Sequence, residues 1–363
     1  MELDAPNVGE IEKQRLQKVI ESSFISTYGP QVGEFENQMA AFLGANYAAA
    51  VQSGTAAIHM ALHELGIGPG DEVIVPVLTF VATVNPVKYV GATPVFVDVD
   101  PSAWTMDPRK VEAAITPRTK AIIVVHLYGN PGALPELRAA AKKYRLAVIE
   151  DATESLGATY QGQHTGTWGD FGCLSFNGNK TITTGGGGMI IGQAEDRIKH
   201  IRFLVNQGRD EQRGYFHPEM GFNYRMTNLE AALGLAQMER LPYFLQVKER
   251  FHAIYTAELG NCCRIHFQQE LPQAKSSWWF NCVGLDPDCD ISALQKSLKD
   301  RGIPTRRFFM PLVEFPMYQG TGNNRELYPN AYAIYEKGLC LPSSTINSEE
   351  DIRAVCRALR ECA

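Results

Sequence analysis

Short apolar runs alternate with amphipathic stretches along the first two thirds of the chain. Helical patterns cover Ala56–Leu65, Val81–Tyr89 and Leu134–Tyr144. The runs between them, rich in Val, Ile and Ala, predict strands at Tyr47–Val51, Val73–Val75, Val95–Val97, Ala121–Val125, Ala147–Ile149 and Met189–Ile191. Unbroken apolar runs are typical of strands covered on both faces in a mainly parallel sheet. The alternation of strand and helix predicts an α/β fold with helices on both faces of the sheet.

The pattern changes after about residue 235. A long helix is predicted over Leu229–Thr256, followed by a strand at Trp278–Gly284 and helices at Ile291–Arg301, Tyr328–Ala333 and Ser348–Arg360. We therefore predict a large domain, residues 1–240, and a smaller C-terminal α/β domain, residues 241–363. A first helix over residues 8–23 is a candidate to pack on the small domain.

Composition narrows the class of protein. The chain has 363 residues, 45% of them hydrophobic, and a net charge of −6, which suits a folded globular protein with a sizeable core. The acidic balance and the lack of a long basic run argue against nucleic acid or an anionic membrane as partner. No apolar run is long enough to span a bilayer and the N-terminus is not typical of a signal peptide, so we expect a cytoplasmic protein. The eight cysteines form no CxxC and have no zinc-ligand spacing, which predicts free thiols and no metal site.

Two glycine-containing segments could serve a ligand. Ser53, Gly54 and Thr55 lie between the first strand and the helix that follows it, where Ser and Thr serve equally as ordinary helix caps. Alternatively, backbone N–H groups and the Thr55 hydroxyl would hold a phosphate at the positive end of the helix. The run Gly185–Gly188 lacks the nicotinamide-binding pattern, and a tight turn into a strand is enough to explain it.

Three further side chains suggest what the ligand is. Asp151 directly follows a buried strand, so it either caps a turn or faces a positively charged ligand atom. Lys180 lies between the hydrophobic segment Phe171–Phe176 and the glycine run; a lysine is usually a solvated surface charge, but a desolvated one can attack a carbonyl as the neutral amine. Ser175 could reach a phosphate on the same ligand. A phosphate-binding turn, a carboxylate and a desolvated lysine, found together in one chain, indicate pyridoxal 5′-phosphate as the ligand.

The chain resembles the DegT/DnrJ/EryC1/StrS family of sugar-nucleotide aminotransferases. The resemblance is carried in order by GPQVGEFENQMAAFLG (29–44), SGTAAIHMAL (53–62), residues 70–100, residues 148–190, GFNYRMTNLEAALGLAQ (221–237) and LCLPSS (339–344). It covers nearly the whole chain. It implies the fold-type I architecture of pyridoxal-phosphate enzymes, with a large three-layer domain and a small C-terminal domain.

The resemblance also implies roles for individual residues. Lys180 would be the Schiff-base lysine, Asp151 would pair with the pyridinium nitrogen, and Phe80 would stack on the cofactor ring, although a buried core Phe is the ordinary alternative. Glu154 would lie near the cofactor's 3′-oxygen, where many members have Gln or His, so its carboxylate must be protonated or hydrogen-bonded. The phosphate would be held by residues from three segments, namely Gly54, Thr55, Ala56, Ser175 and, from the neighbouring subunit, Asn228. The last assignment implies a homodimer with shared active sites.

The residues of these motifs most resemble those of the branch that aminates UDP-linked 4-keto-6-deoxy-N-acetylhexosamines, as on routes to legionaminic acid. We therefore expect transfer of an amino group from L-glutamate to C4 of such a sugar, for bacterial surface polysaccharide or lipopolysaccharide. Val313, after Pro311-Leu312, departs from the histidine of many relatives, so no substrate contact is assigned in that loop.

Other functions stay open. A GDP-perosamine-type 4-aminotransferase and a dTDP-sugar 3-aminotransferase of the same family differ from this expectation by no physical rule visible in the sequence. A pyridoxal-phosphate sugar dehydratase would have histidine in place of Lys180. A non-catalytic regulatory protein would be expected to have lost the lysine or gained a basic DNA-binding segment, and the sequence shows neither change.

Overall fold

The computed structural model describes residues 1–319 and 324–362. The helices are α1 Glu10–Ser22, α2 Gln31–Leu43, α3 Gly54–Glu64, α4 Asn85–Tyr89, α5 Pro108–Ala114, α6 Leu134–Tyr144, α7 Glu195–Val205, α8 Asn228–Leu259, α9 Ile291–Asp300, α10 Pro329–Lys337 and α11 Glu349–Cys362. The strands are β1 Tyr47–Val51, β2 Glu72–Pro76, β3 Thr93–Val97, β4 Thr119–Val125, β5 Ala147–Asp151, β6 Thr159–Tyr160, β7 Gln163–His164, β8 Phe171–Ser175, β9 Gly188–Gly192, β10 Ile265–Phe267, β11 Ala274–Lys275, β12 Asn281–Leu285, β13 Arg306–Arg307 and β14 Gly338–Leu341. Short 3-10 turns connect several of them.

A seven-stranded sheet in the order β1-β9-β8-β5-β4-β2-β3 forms the centre of the molecule. Strands β3, β2, β4, β5 and β8 are parallel to one another, and β9 runs antiparallel between β8 and β1. This is the mainly parallel α/β sheet that the apolar runs predict, and all six predicted strands belong to it. The strand β8 was not predicted because Gly172 and Ser175 interrupt its apolar run.

A second, antiparallel sheet in the order β10-β12-β14-β13 belongs to the C-terminal part of the chain. It packs with α9, α11 and the end of α8 in a hydrophobic core that includes Phe251, Ile254 and Leu259. The earlier part of α8 contributes Ala231, Leu235 and other residues to a different core, against α2 and the central sheet. The predicted domain boundary near residue 240 falls on this helix and remains a prediction.

The helix α1 packs along α8 close to that boundary. The Glu12 carboxylate accepts hydrogen bonds from Gln237 at 2.6 Å and from Arg240 at 2.9 Å. The N-terminal helix therefore packs where α8 passes from one core to the other. Among the described residues, no helix is long and apolar enough to cross a membrane.

The predicted helix over Val81–Tyr89 is divided in the structure. A 3-10 turn covers Val81–Thr83, and α4 starts at Asn85 with Pro86 in its first turn. Proline is accepted in a first turn but not in a helix interior, because its nitrogen cannot donate to the preceding turn. The division leaves Thr83 beside the end of β5, which is important for the site.

Candidate active site

A cleft of about 320 Å³ opens where the central sheet meets the C-terminal part of the chain. It lies at the carboxyl ends of β1, β4, β5 and β8, which is where open α/β sheets bind their ligands. All of the predicted site residues except Ala56 and Asn228 line it, namely Gly54, Thr55, Phe80, Asp151, Glu154, Ser175 and Lys180.

The N-terminus of α3 forms one end of the cleft. Ser53 caps the helix, since its hydroxyl accepts a hydrogen bond from the Ala56 N–H at 3.0 Å. A Cβ atom at Gly54 would lie 2.9 Å from the Ser175 Cβ, so only glycine lets these two segments approach so closely. The first N–H groups of a helix have no partner within it, and here they begin at the cleft.

Part of the glycine run packs against this turn. A Cβ atom at Gly188 would lie 2.5 Å from the Ser53 carbonyl oxygen, and the Gly187 N–H donates to the Gln52 carbonyl at 2.9 Å. The sequence pattern alone required nothing more than a turn into a strand. The structure adds a close contact that holds the helix N-terminus in place.

Two predicted residues are engaged elsewhere. The Ala56 N–H is bound by Ser53, so in this structure it is committed to the cap. Asn228 is buried; its side chain donates to the Phe24 carbonyl at 2.7 Å and accepts from the Gln31 N–H at 2.9 Å. It therefore fixes the segment before α2, and its contact with a partner's cofactor stays a prediction.

Asp151 is the last residue of β5 and is buried. One carboxylate oxygen accepts a hydrogen bond from the Thr83 hydroxyl at 2.6 Å, and the other accepts from the Thr153 N–H at 3.2 Å. Two donors on two different oxygens fix the orientation of the carboxylate. A carboxylate oriented in this way can hold a positively charged ligand atom.

Lys180 projects into the cleft between a carboxylate and an aromatic ring. Its Nζ lies 3.6 Å from Glu154 Oε1 and 4.1 Å from the centre of the Trp279 ring. The Trp279 indole N–H donates to the carbonyl of Asn179, the residue before Lys180, at 2.7 Å. The buried Lys248 amine donates to the Trp279 carbonyl at 2.9 Å and so holds this tryptophan from behind.

Burial favours the uncharged forms of both Lys180 and Glu154. Desolvation lowers the pKa of Lys180, and the nearby Glu154 and Asp151 carboxylates oppose that shift without reversing it. Desolvation likewise raises the pKa of Glu154 against the attraction of Lys180. The lysine is therefore held closer to its neutral, nucleophilic form than a surface lysine would be.

The backbone beside Glu154 adopts an uncommon conformation. Tyr128 has a φ of 59°, in the left-handed region, and its N–H donates to Glu154 Oε2 at 2.9 Å. A Cβ atom at the next residue, Gly129, would lie 2.8 Å from the Trp279 nitrogen. Glu154 is thus hydrogen-bonded, as expected for a carboxylate there, and a strained turn brings the two sides of the cleft together.

Phe80 is 52% exposed, so it is not a core residue. Its ring centre lies 5.5 Å from that of Phe309, and both residues line the cleft. An exposed aromatic ring beside a lysine and a carboxylate is available to stack on a flat ligand. Val313, by contrast, is buried and does not line the cleft.

Sequence reasoning missed several lining residues, among them Thr83, Trp279 and Arg306. The sequence pattern around Thr83 predicts a single helix, and the pattern around Trp279 predicts a strand. Arg306 is part of the run Arg306-Arg307-Phe308-Phe309, where a cationic pair beside two aromatic residues could have been noticed.

These residues fit pyridoxal 5′-phosphate. The cleft supplies a desolvated amine, an oriented carboxylate, an exposed ring, and a helix N-terminus where a Cβ at Gly54 would fill the space. The arrangement is that of a pyridoxal-phosphate-dependent enzyme. A family model described as the DegT/DnrJ/EryC1/StrS aminotransferase family matches residues 6–360. The chain belongs to this family and is a pyridoxal-phosphate-dependent sugar aminotransferase of fold-type I.

Individual relatives agree with this assignment. The chain is 41% identical to a GDP-perosamine synthase of Caulobacter vibrioides over 360 residues, which covers 98% of this chain and 96% of that protein. It is 40% identical to a UDP-N-acetyl-3-dehydro-α-D-glucosamine 3-aminotransferase of Acidithiobacillus ferrooxidans over 343 residues, 94% of this chain and 90% of that protein. Its fold is similar to the PLP form of the sugar aminotransferase Spr1654 from Streptococcus pneumoniae, with a TM-score of 0.95, 28% identity, and coverage of 100% of this chain and 98% of that one.

Proposed function

We propose that this enzyme transfers the amino group of L-glutamate to C4 of a nucleotide-linked 4-keto-6-deoxyhexose. The observation that carries the proposal is the position of Lys180, whose buried amine lies 3.6 Å from Glu154 in the same cleft as the oriented carboxylate of Asp151. A lysine in that setting can move a proton at a carbon next to nitrogen. The family assignment supports a sugar as the amino acceptor.

The cofactor's contacts are proposed residue by residue. Lys180 would bond it covalently, Asp151 would face its ring nitrogen, and Phe80 would cover one face of its ring. Glu154 would lie beside the ring oxygen, hydrogen-bonded through the Tyr128 N–H. Its phosphate would be held by donors from two segments, Gly54 and Thr55 at the start of α3 and Ser175 at the end of β8. The Ala56 N–H would join them only if the Ser53 hydroxyl released it. When bound, the cofactor accepts the electron pair released as a Cα–H bond breaks.

Lys180 is proposed as both general base and general acid. Because desolvation lowers its pKa, the freed amine can take the proton from the donor carbon at Nζ. The same Nζ would return that proton to the carbon on the other side of the transferred nitrogen, and the steps would run in reverse with the sugar. Trp279 keeps the amine over its ring, and its bond to the Asn179 carbonyl restrains the chain just before the lysine.

The nucleotide is proposed to be GDP. The support is the 41% identity, over nearly the whole length of both chains, to a GDP-perosamine synthase, together with 38% identity to a second one from Escherichia coli O157:H7. A UDP-linked 4-keto-6-deoxy-N-acetylhexosamine is the second candidate. It is favoured by the residues of the sequence motifs and by the 40% identity to an aminotransferase that acts on a UDP sugar.

The test is to load the purified protein with pyridoxal phosphate and add L-glutamate while following its absorbance. A shift to the amino form of the cofactor would establish donor and cofactor. The aminated enzyme is then offered GDP- and UDP-linked 4-keto-6-deoxy sugars in parallel, and a return of the first spectrum identifies the acceptor. If neither sugar restores it, C4 amination of these acceptors is excluded; a 3-keto nucleotide sugar is tested as the contrasting arm.

We further propose a homodimer in the cytoplasm. Several large apolar side chains are exposed near the segment that Asn228 holds and on the loop after α7, namely Ile20, Phe24, Ile25, Tyr28, Tyr215 and Met220. Exposed apolar side chains close together favour a protein interface. Light scattering of the holoenzyme at several concentrations tests the dimer.

A further inference from the structure

Arg306, at the start of β13, is held rigidly by aromatic rings. Its guanidinium carbon lies 4.5 Å from the ring centre of Phe280, 5.6 Å from that of Phe309 and 5.7 Å from that of Trp279. Its Nε and Nη2 atoms are covered and have no hydrogen-bond partner among the described residues. Contacts of this kind stabilise a cation without using its hydrogen-bonding capacity.

The third nitrogen, Nη1, is in a different environment. It lies 3.5 Å from the Asp4 carboxylate, and the arginine side chain, 31% exposed, lines the cleft. A separation of 3.5 Å is a loose ion pair rather than a short charge-assisted hydrogen bond. The guanidinium is therefore immobilised yet weakly paired, which suits a group that exchanges one anion for another.

The charges that line the cleft limit what this anion can be. Besides Arg306, the charged lining residues are Asp151, Glu154 and Lys180. In the proposed function Lys180 is engaged in covalent and proton chemistry, which leaves Arg306 as the permanent cation. The amino donor carries two carboxylates, and the nucleotide sugar carries a diphosphate, so both reactants bring negative charge.

Position favours the donor. Lys180 Nζ and Arg306 Cζ lie over the same indole ring, 4.1 Å and 5.7 Å from its centre. The carbon that loses its proton must reach Lys180, and the donor's carboxylates are attached to that carbon or a few bonds from it. In the nucleotide sugar, the pyranose ring separates the diphosphate from the reacting C4. We propose that Arg306 binds a carboxylate of the amino donor; this inference rests on the proposed function.

Asp4 is proposed as the counterion that the donor replaces. The N-terminal segment that carries it is fixed to the C-terminal part of the chain, because the Ser343 and Ser344 N–H groups both donate to the Leu3 carbonyl. The Asp4 carboxylate also accepts a hydrogen bond from the Asn179 side chain at 3.0 Å, next to Lys180. Asp4 is therefore held within reach of Arg306 and can pair with it again when the donor leaves.

The experiment measures binding of glutarate, an unreactive dicarboxylate, to the holoenzyme by calorimetric titration. R306M should weaken glutarate about 10- to 100-fold, the range expected for loss of a hydrogen bond to a charged group, and R306K should weaken it less. D4N, which removes the competing carboxylate, should tighten it severalfold. R307K is the matched control, since Arg307 instead donates to the Tyr335 and Glu336 carbonyls.

A second arm separates the two anions. The affinities of R306M for GDP and UDP should equal those of the wild type. Unchanged glutarate binding in both Arg306 variants, or a loss of nucleotide affinity with glutarate unaffected, overturns the inference. Melting curves identify a variant that fails to fold. If R306M fails to fold, the glutarate affinity of R306K tests the inference instead.

A wild-type control separates this inference from the proposed function. If L-glutamate does not change the spectrum of the wild-type holoenzyme, the proposed function itself fails. If it does, and R306M binds glutarate normally, only the carboxylate site is wrong. Comparing L-glutamate with L-alanine then shows which carboxylate is bound, because a site for the α-carboxylate penalises both donors in R306M and a site for the side-chain carboxylate penalises glutamate alone.

Discussion

The two sides of the cleft are built in different ways. The strand-end side, made of Ser53, Thr83, Asp151 and Lys180, uses residues at the ends of strands or in the loops that follow them. Hydrogen bonds fix the side chains of the first three of these residues. The aromatic side, made of Trp279, Arg306 and Phe309, uses rings and a cation from the C-terminal part of the chain. Each ring on that side contacts several neighbours, and the Arg306 Nε and Nη2 atoms have no hydrogen-bond partner among the described residues.

The difference indicates a division of labour. Hydrogen-bonded polar groups at strand ends set charge and geometry at single atoms, which is what bond-breaking steps require. Aromatic surfaces position a neighbouring group over a broad area and adjust its surroundings. Substitutions on the strand-end side should therefore reduce the chemical step, and those on the aromatic side should change affinity, positioning or proton uptake.

The largest effect is expected for K180A. Loss of the amine removes the proposed covalent attachment and the general base, so the rate of the glutamate-dependent absorbance change should fall about 10³-fold or more. K199A, which removes an exposed lysine paired with Glu195 on α7, should have the wild-type rate. Activity in K180A within about tenfold of wild type would contradict the role of the lysine.

D151N should be the next most damaging. The amide keeps the shape of the carboxylate but removes the charge opposite the ligand's cationic atom, so kcat should fall about 100-fold, with little change in the affinity for the sugar. D170N is the matched control, because Asp170 binds the Val148 N–H at the opposite end of β5. Similar kcat losses in both variants would mean that the effect comes from stability alone.

W279F tests the aromatic side. Phenylalanine keeps a ring beside Lys180 but cannot donate to the Asn179 carbonyl, and loss of such a hydrogen bond costs about 0.5–1.5 kcal/mol. We expect roughly a tenfold loss in single-turnover rate with glutamate. In W278F the neighbouring ring, which stacks on His252 outside the cleft, is changed instead, and the rate should be unaffected. Equal losses in the two would remove the distinction between the rings.

E154Q should have the smallest effect and a defined sign. The Glu154 carboxylate raises the pKa of Lys180, so its removal should lower the pKa of Lys180 further. Capture of pyridoxal phosphate by the cofactor-free protein needs the neutral amine, and its rate plotted against pH should therefore rise at a lower pH in E154Q. E36Q, at a buried glutamate that pairs with Arg202, should leave the profile unchanged. A shift of the E154Q profile to higher pH would contradict the assignment.

The sequence was most informative about the strand-end side. Strands with unbroken apolar runs end at polar residues, and parallel strands bring those ends to one edge, so Asp151, Ser175 and the Ser53–Thr55 turn could be expected to meet. The aromatic side could not be predicted in this way. Trp279 and Arg306 reach the cleft because separate segments pack together, and the local hydrophobic periodicity of a sequence does not predict such packing.

Backbone conformation was equally hidden. Tyr128 adopts a left-handed φ although it is neither glycine nor asparagine, and its N–H supports Glu154 only in that conformation. Sequence reasoning required a protonated or hydrogen-bonded carboxylate at Glu154 but could not identify the donor. The Asn228 contacts were missed for a related reason, since they join segments about two hundred residues apart along the chain.

The helix α8 has a mechanical consequence. Its 32 residues span about 48 Å at the usual rise per residue, and its two halves are anchored in different hydrophobic cores. Because each half is packed in its own core, a rotation of the two sides of the cleft relative to each other would bend this helix. The helix should bend most easily at Pro242, because the proline nitrogen cannot donate a hydrogen bond to the preceding turn. Any opening of the cleft should thus be small in amplitude and should pivot near that proline.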